Sequence, residues 1–215
     1  ACGVLPALDF LKAIHDGKAP SLGKRVVVVG GGFTAVDAAR TARRLSAEEV
    51  YLAYRRSRAE MTASAEELAE AEAEGVRILT MAAPVEVVAK DGMVSGLRIA
   101  SQYLGGTDSS GRRKPEPVSG AEYVLDCDTV ILAIGQKPDG AALQGLALDR
   151  SGMLLCNPAT GQTNLEGVYC GGDVCHVDTV IAAVAAGKRA AAAIDRALAG
   201  EGAVLKADPE APAVS

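Results

Sequence analysis

Tryptophan is absent from this chain, and only two phenylalanines and five tyrosines occur among its 215 residues. The interior therefore has to be built from Val, Leu, Ile and Ala. A basic excess is also missing. Lys and Arg number 22 against 27 Asp and Glu, a net charge of −5, which argues against nonspecific nucleic-acid binding. No apolar run approaches the ~18 residues of a spanning helix, so no membrane partner is expected. The start, Ala1-Cys2-Gly3, has neither the basic nor the apolar stretch of a signal peptide. It also lacks an initiator Met, so an excised or processed piece is expected. The five cysteines, Cys2, Cys127, Cys156, Cys170 and Cys175, are odd in number and irregular in spacing. That is a poor disulfide framework and fits a reducing compartment, the cytoplasm. The two histidines, His15 and His176, are isolated, and no cysteine spacing matches a four-cysteine zinc or iron–sulfur site. No metal ligand is expected in this chain. Cys170 and Cys175 read as packing thiols rather than an active dithiol.

Apolar residues make up 49% of the chain, enough for a core of aliphatic side chains. The strongest signal is Val26-Val27-Val28-Val29 running into Gly30-Gly31-Gly32 and then into Phe33-Thr34-Ala35. A continuous β-branched run is the pattern of a parallel strand covered on both faces. The spacing Gly30-x-Gly32-x-x-Ala35 fits a dinucleotide fingerprint. Gly30 permits the tight turn, Gly32 admits the pyrophosphate to the backbone, and Ala35 lets the following helix approach the strand. That helix, read over 33–45, aims its unbonded N–H groups at the phosphates.

The rest of the pattern is α/β. A short helix is expected over 4–17, stopped by Gly17, and a polar connector over 18–23. Strands are expected at 25–29, 49–54 and 76–79, with an acidic, solvated helix at 64–74. This βαβαβ order is half of a doubly wound fold. Alternation over 84–89 and 94–100 around Asp91-Gly92 marks an antiparallel hairpin. Residues 104–120, rich in Gly, Ser, Pro and basic residues, read as an exposed loop. Short strands follow at 123–125, 129–134, 153–156 and 167–170, then a long helix at 179–198 and a flexible tail. The expected organisation is a lead-in over 1–22 and a nucleotide domain over 23–139, with an antiparallel insert at about 84–125. A third region covers 140–200, and the tail 201–215.

The end of the second strand bears on cofactor choice. NAD sites place an acidic residue there for the ribose hydroxyl. This chain has Tyr54-Arg55-Arg56-Ser57-Arg58 instead. Arg55 and Arg56 suit a 2′-phosphate, which guanidinium groups grip through paired hydrogen bonds. NADPH is the expected ligand.

Four stretches then resemble one family: residues 30–37, residues 54–61, residues 128–136, and Gly171-Gly172-Asp173 with the helix after it. The loop 110–115 shares the likeness. Together they are similar to the flavin-dependent pyridine-nucleotide oxidoreductases of the glutamate synthase small (beta) subunit type. The likeness spans about residues 3–199. It implies a Rossmann-like three-layer FAD/NAD(P)-binding domain with an antiparallel β insert. It implies an NADPH domain inserted into an FAD domain, with hydride passing from NADPH to FAD. The cofactors carry the chemistry, so no catalytic side chain is assigned. Ala133, Ile134 and Gly135 would line the nucleotide edge. Gly172 and Asp173 would meet the flavin ribityl or phosphate region, with Thr179 and Val180 opening the helix aimed at it.

The chain departs from the family plan by carrying one glycine fingerprint. The FAD site is therefore expected to be incomplete here, the rest lying in a missing N-terminal region that also carries a 4Fe-4S centre. The isolated piece is expected to be inactive. A larger synthase subunit or a ferredoxin is the implied acceptor. Phe33, where the family commonly has Asp or Asn, is a second departure. The alternative is a non-catalytic nucleotide-binding or sensing module on the same fold.

Overall fold

The computed structural model describes residues 1–45, 47–107, 111–136, 138–139, 143–175 and 179–199. The chain divides into two compact units, Ala1–Ile134 and the part from Gly135 onward.

The first unit is organised by a five-stranded parallel sheet: β1 (Val4–Pro6), β2 (Arg25–Val29), β3 (Glu49–Ala53), β4 (Val76–Leu79) and β8 (Thr129–Leu132). Its spatial order is β1-β8-β2-β3-β4. The valine run makes β2 the central strand, and its side chains alternate between two cores. Val26 and Val28 face α1 (Ala7–His15), α2 (Phe33–Arg44) and α3 (Ala65–Ala73) through Phe10, Val36, Ala39 and Leu68. Val27 and Val29 face the opposite core with Ala82, Leu97, Ile99 and Cys127. Burying each such side chain contributes roughly 1.5–3 kcal/mol.

That opposite face is covered by a second sheet, not by helices. β5 (Ala82–Lys90), β6 (Met93–Thr107) and β7 (Arg113–Asp126) form an antiparallel sheet in that order. The three layers are thus helices, parallel sheet and antiparallel sheet. The expectation of half a doubly wound fold agrees with this arrangement: all three helices of the unit contribute to one core, on one face. Asp91 (φ 51) and Gly92 (φ 80) make the tight turn that their sequence announces.

Three expectations change. Val4–Pro6 is a strand, pairing with β8, and the helix begins only at Ala7. Residues 104–120 are largely strand, not loop. β7 is an edge strand, and Pro115 and Pro117 sit two residues apart opposite Leu104 and Gln102. Both occupy one phase of an edge, where no partner needs their missing N–H. The segments 153–156 and 167–170 are not strands of a sheet. They make only the isolated bridges Leu148–Leu154 and Gln162–Tyr169.

The second unit holds those bridges, a 3-10 turn at Asp173–Cys175 and α4 (Val180–Ala199). His176 and the tail from residue 200 lie outside the described residues. Among the described residues no helix is long and apolar enough to cross a membrane.

Candidate functional site

In the sheet order, the chain leaves β2 toward β3 on one side, while β8 lies on the other. The crevice between the carboxyl ends of β2 and β8 is therefore a topological switch point, where open α/β sheets bind ligands. The glycine turn lies there. Gly30 has φ 152, and a Cβ on it would stand 2.5 Å from the Ala133 carbonyl oxygen and 2.9 Å from Ala35 Cβ. Only glycine allows β2, β8 and α2 to meet this closely. A Cβ on Gly31 would stand 2.5 Å from the Tyr54 ring. Gly32 caps α2 without a side-chain hydrogen bond, and the first turn of α2 carries no acidic residue. The positive end of the helix is thus left for an external anion. Thr34 is half-buried, Ala35 buried, and Phe33 exposed.

The loop after β3 forms the next wall. Tyr54 donates its hydroxyl to the Glu60 carbonyl (2.8 Å). Ser57 and Glu60 close a capping box on the 3-10 turn Arg58–Glu60. The three arginines take different roles. Arg55 is exposed, whereas Arg56 is buried at 7% exposure. Arg58 makes a two-pronged pair with Glu72, 2.7 Å on each side. Burial raises the Glu60 carboxyl, but its hydrogen bonds to Ser57 and the charges of Arg56 and Arg112 hold it below the usual range. A fourth cation joins from a distant segment. Arg112 donates to the Glu60 carbonyl at 2.9 Å and reaches the Tyr54 hydroxyl at 3.5 Å. The signal was the basic run Arg112-Arg113-Lys114, read as an exposed loop that shares the family likeness and not as part of the nucleotide site.

The acidic helix also proves more than a solvated face. Glu74 receives Arg40 and Arg44, both at 2.6 Å. The hydrogen bond from Arg44, then that from Arg40, holds its carboxyl down to about 2. α2, which carries the glycine turn, is thereby anchored to the end of α3. From behind, Asp128 accepts the backbone N–H groups of Lys24 and Arg25, each at 2.8 Å. Thr129 Oγ1 donates to the Leu22 carbonyl at 2.6 Å. These bonds fix the entry to β2 against the start of β8.

Ala133 continues β8 by donating to the Val29 carbonyl (2.8 Å), and Ile134 after it is exposed. Gly135, at φ 103, opens the second unit. Gly172, Asp173, Thr179 and Val180 all belong to that unit. Asp173 starts the 3-10 turn and is exposed. The Thr179 hydroxyl accepts from Ala182 N (3.2 Å) and so caps α4. Val180 is 80% exposed.

Residues 2–187 match the pyridine nucleotide-disulphide oxidoreductase family. The chain belongs to that family. Among curated members and relatives, it is 46% identical over 199 residues to the NADP(+)-dependent formate dehydrogenase subunit beta of Moorella thermoacetica, covering 91% of this chain and 28% of that one. It is 38% identical over 209 residues to the glutamate synthase [NADPH] small chain of Azospirillum brasilense, covering 95% and 42%. The chain thus spans less than half the length of these relatives. Its fold is shared with Mycobacterium tuberculosis FprA, solved in complex with NADPH: TM-score 0.72 at 19% identity, over 91% of this chain and 58% of that one.

Proposed function

We propose that the first unit binds NADPH, as the nucleotide-binding portion of an enzyme that passes hydride from NADPH to FAD. The observation that carries this reading is the joining of the Gly30–Ala35 turn, at the switch point, to a loop that bears Arg55 and Arg56, and is reached by Arg112, where an NAD site would place an acid. The uncapped start of α2 offers N–H groups to the pyrophosphate. Gly30 and Gly31 let the turn close against Ala133, Ala35 and Tyr54, which shapes the crevice. Arg55 and Arg112 offer exposed cations to a 2′-phosphate, and Arg56 lies buried in the same loop. Ala133 and Ile134 border the nicotinamide side of the crevice. The names of the relatives, NADP(+)-dependent and [NADPH], support the choice of phosphate-bearing cofactor.

In the second unit, Gly172 and Asp173 and the capped start of α4 fit the flavin role that the resemblance gives them. When bound, FAD supplies the hydride acceptor and one-electron chemistry. The residues here orient and hydrogen-bond it, and a segment with its own glycine fingerprint completes the site. Onward transfer goes to an iron–sulfur centre or a partner subunit, in keeping with relatives named as a subunit beta and a small chain. Glutamate synthase's large subunit and a ferredoxin are the acceptor classes.

Titration with NADPH and NADH, followed by nicotinamide fluorescence, tests the cofactor assignment. NADPH is expected to bind tightly and NADH weakly. Arg55→Ala and Arg112→Ala should each weaken NADPH about tenfold or more, the scale of one charge-assisted hydrogen bond, and leave NADH unchanged. Equal losses for both cofactors would sink the 2′-phosphate assignment. Arg56→Ala is a poorer probe because the side chain is buried.

A further inference from the structure

Three cysteines that are scattered in sequence converge in the second unit. The sulfurs of Cys156, Cys170 and Cys175 all lie within 4.8 Å of one another, and all three residues are half-buried. Cys170 Sγ and Cys175 Sγ are 2.9 Å apart. The backbone around them is tied together. Leu154 N donates to the Val174 carbonyl (2.9 Å), joining the Cys156 segment to the Cys175 turn. Cys170 N donates to the Gly161 carbonyl (2.8 Å), and Asn157 N to the Gln162 carbonyl (2.9 Å). Behind them, α4 is pressed close. A Cβ on Gly161 would meet the Cys170 carbonyl at 2.6 Å and Ala190 Cβ at 3.1 Å, and one on Gly171 would meet Ala186 Cβ at 3.1 Å. The three thiols open on a cavity of about 220 Å³, with Arg189 among its lining residues.

A disulfide would use two of these sulfurs, bring them to about 2.05 Å, and leave the third idle. A multi-iron cluster sets its thiolates on different irons, farther apart than ligands of one ion. A single tetrahedral ion bound at about 2.3 Å to each sulfur places its thiolates about 3.8 Å apart. That spacing fits within the observed envelope, with the Cys170–Cys175 edge opening by about 0.9 Å.

We propose that Cys156, Cys170 and Cys175 bind one Zn²⁺ ion as three thiolates, with its fourth position facing the cavity. Three thiols lose three protons on binding, so the three-thiolate centre carries one net negative charge. Arg189, anchored by its Nε on the Pro158 carbonyl (3.2 Å), is the cation that lines the same cavity. Burial raises the Cys175 and Cys170 thiols above their ordinary range. The ion would cross-link three turns of a unit that buries few large side chains.

The test uses the full chain, reduced, stripped with a chelator and kept from oxygen. Cobalt(II) should saturate at one per chain, with the visible bands of a tetrahedral thiolate site and a sulfur-to-cobalt charge-transfer band. Zinc should displace it. X-ray absorption at the zinc edge should count three sulfurs at about 2.3 Å and one lighter atom. Cys156→Ser, Cys170→Ser and Cys175→Ser should each weaken zinc at least tenfold, and Cys2→Ser should not. The sulfur count comes from the unaltered chain, so it stands even if a variant misfolds. Failure to take up one equivalent of either metal, or a shell with fewer than three sulfurs, would overturn the proposal. So would a Cys170–Cys175 disulfide in the anaerobically isolated chain, which would replace the ion with a dithiol.

Discussion

The two units differ in how they treat apolar side chains. The first buries two continuous clusters, one on each face of its parallel sheet. In the second, Leu154, Ala186 and Ala193 are the buried apolar residues among those described, while Val180, Ile181, Val184 and Leu198 stand exposed, Leu198 at 84%. The first unit therefore satisfies its own amphipathic elements. The second carries α4 with an apolar surface that its own described residues do not cover. Strand order explains the contrast. β8 returns the chain to the sheet between β1 and β2 and closes a layered core locally, whereas the described residues of the second unit have only isolated bridges to organise them.

The sharpest way to break this contrast is native-state hydrogen exchange on the full chain. Amides of β2, β3 and β8 should exchange about a thousandfold or more slower than those of α4, since core strands open only with global unfolding. Equal protection would mean that the second unit has a core of its own. Next in size are paired truncations. Ile131→Ala, at a fully buried position, should destabilise the main denaturant transition by about 3 kcal/mol. Val180→Ala should change it by less than about 0.5 kcal/mol. A large effect at Val180 would show the outer face of α4 to be covered.

Gly30→Ala should cost about 2 kcal/mol through crowding at Ala133 and Ala35, and should abolish NADPH binding in a fluorescence titration. Retained affinity would separate the turn from the nucleotide. Smallest is Asp128→Asn, about 1 kcal/mol given the partial exposure of the carboxylate. Burial raises the Asp128 carboxyl, but the N–H groups of Arg25 and Lys24 lower it more, so its folded value lies below the ordinary 3.8. Its contribution is thus complete above that ordinary value and is lost as pH falls through the folded one. Acid titration of stability should show a shallower decline for Asp128→Asn than for the unaltered chain.

Legibility followed the same divide. The run Val26–Val29, the fingerprint after it and the Asp91-Gly92 turn announced themselves because each is a local pattern with one backbone solution. Val4–Pro6 did not, since three residues carry no periodicity and their pairing with β8 spans more than a hundred positions. β7 was hidden by Pro115 and Pro117, which argue against a strand everywhere except at an edge. At the candidate site, Arg55 and Arg56 are expected from position to meet a 2′-phosphate; the structure adds that Arg56 is buried while Arg55 is exposed, and that Glu72 pairs with Arg58. Arg112 and the Cys156–Cys170–Cys175 group escaped for one reason. Their neighbours are set by tertiary folding, and sequence spacing carries no record of that.

The reach of Arg112 onto the Tyr54–Glu60 loop bears on how cofactor preference could drift or be redesigned. A swap toward NADH confined to residues 54–58 would leave a guanidinium in place, delivered by a hairpin more than fifty positions away. If Arg55 and Arg112 grip a 2′-phosphate as proposed, converting this chain would require editing two separate stretches together, and a lineage that changed only one would keep part of the preference.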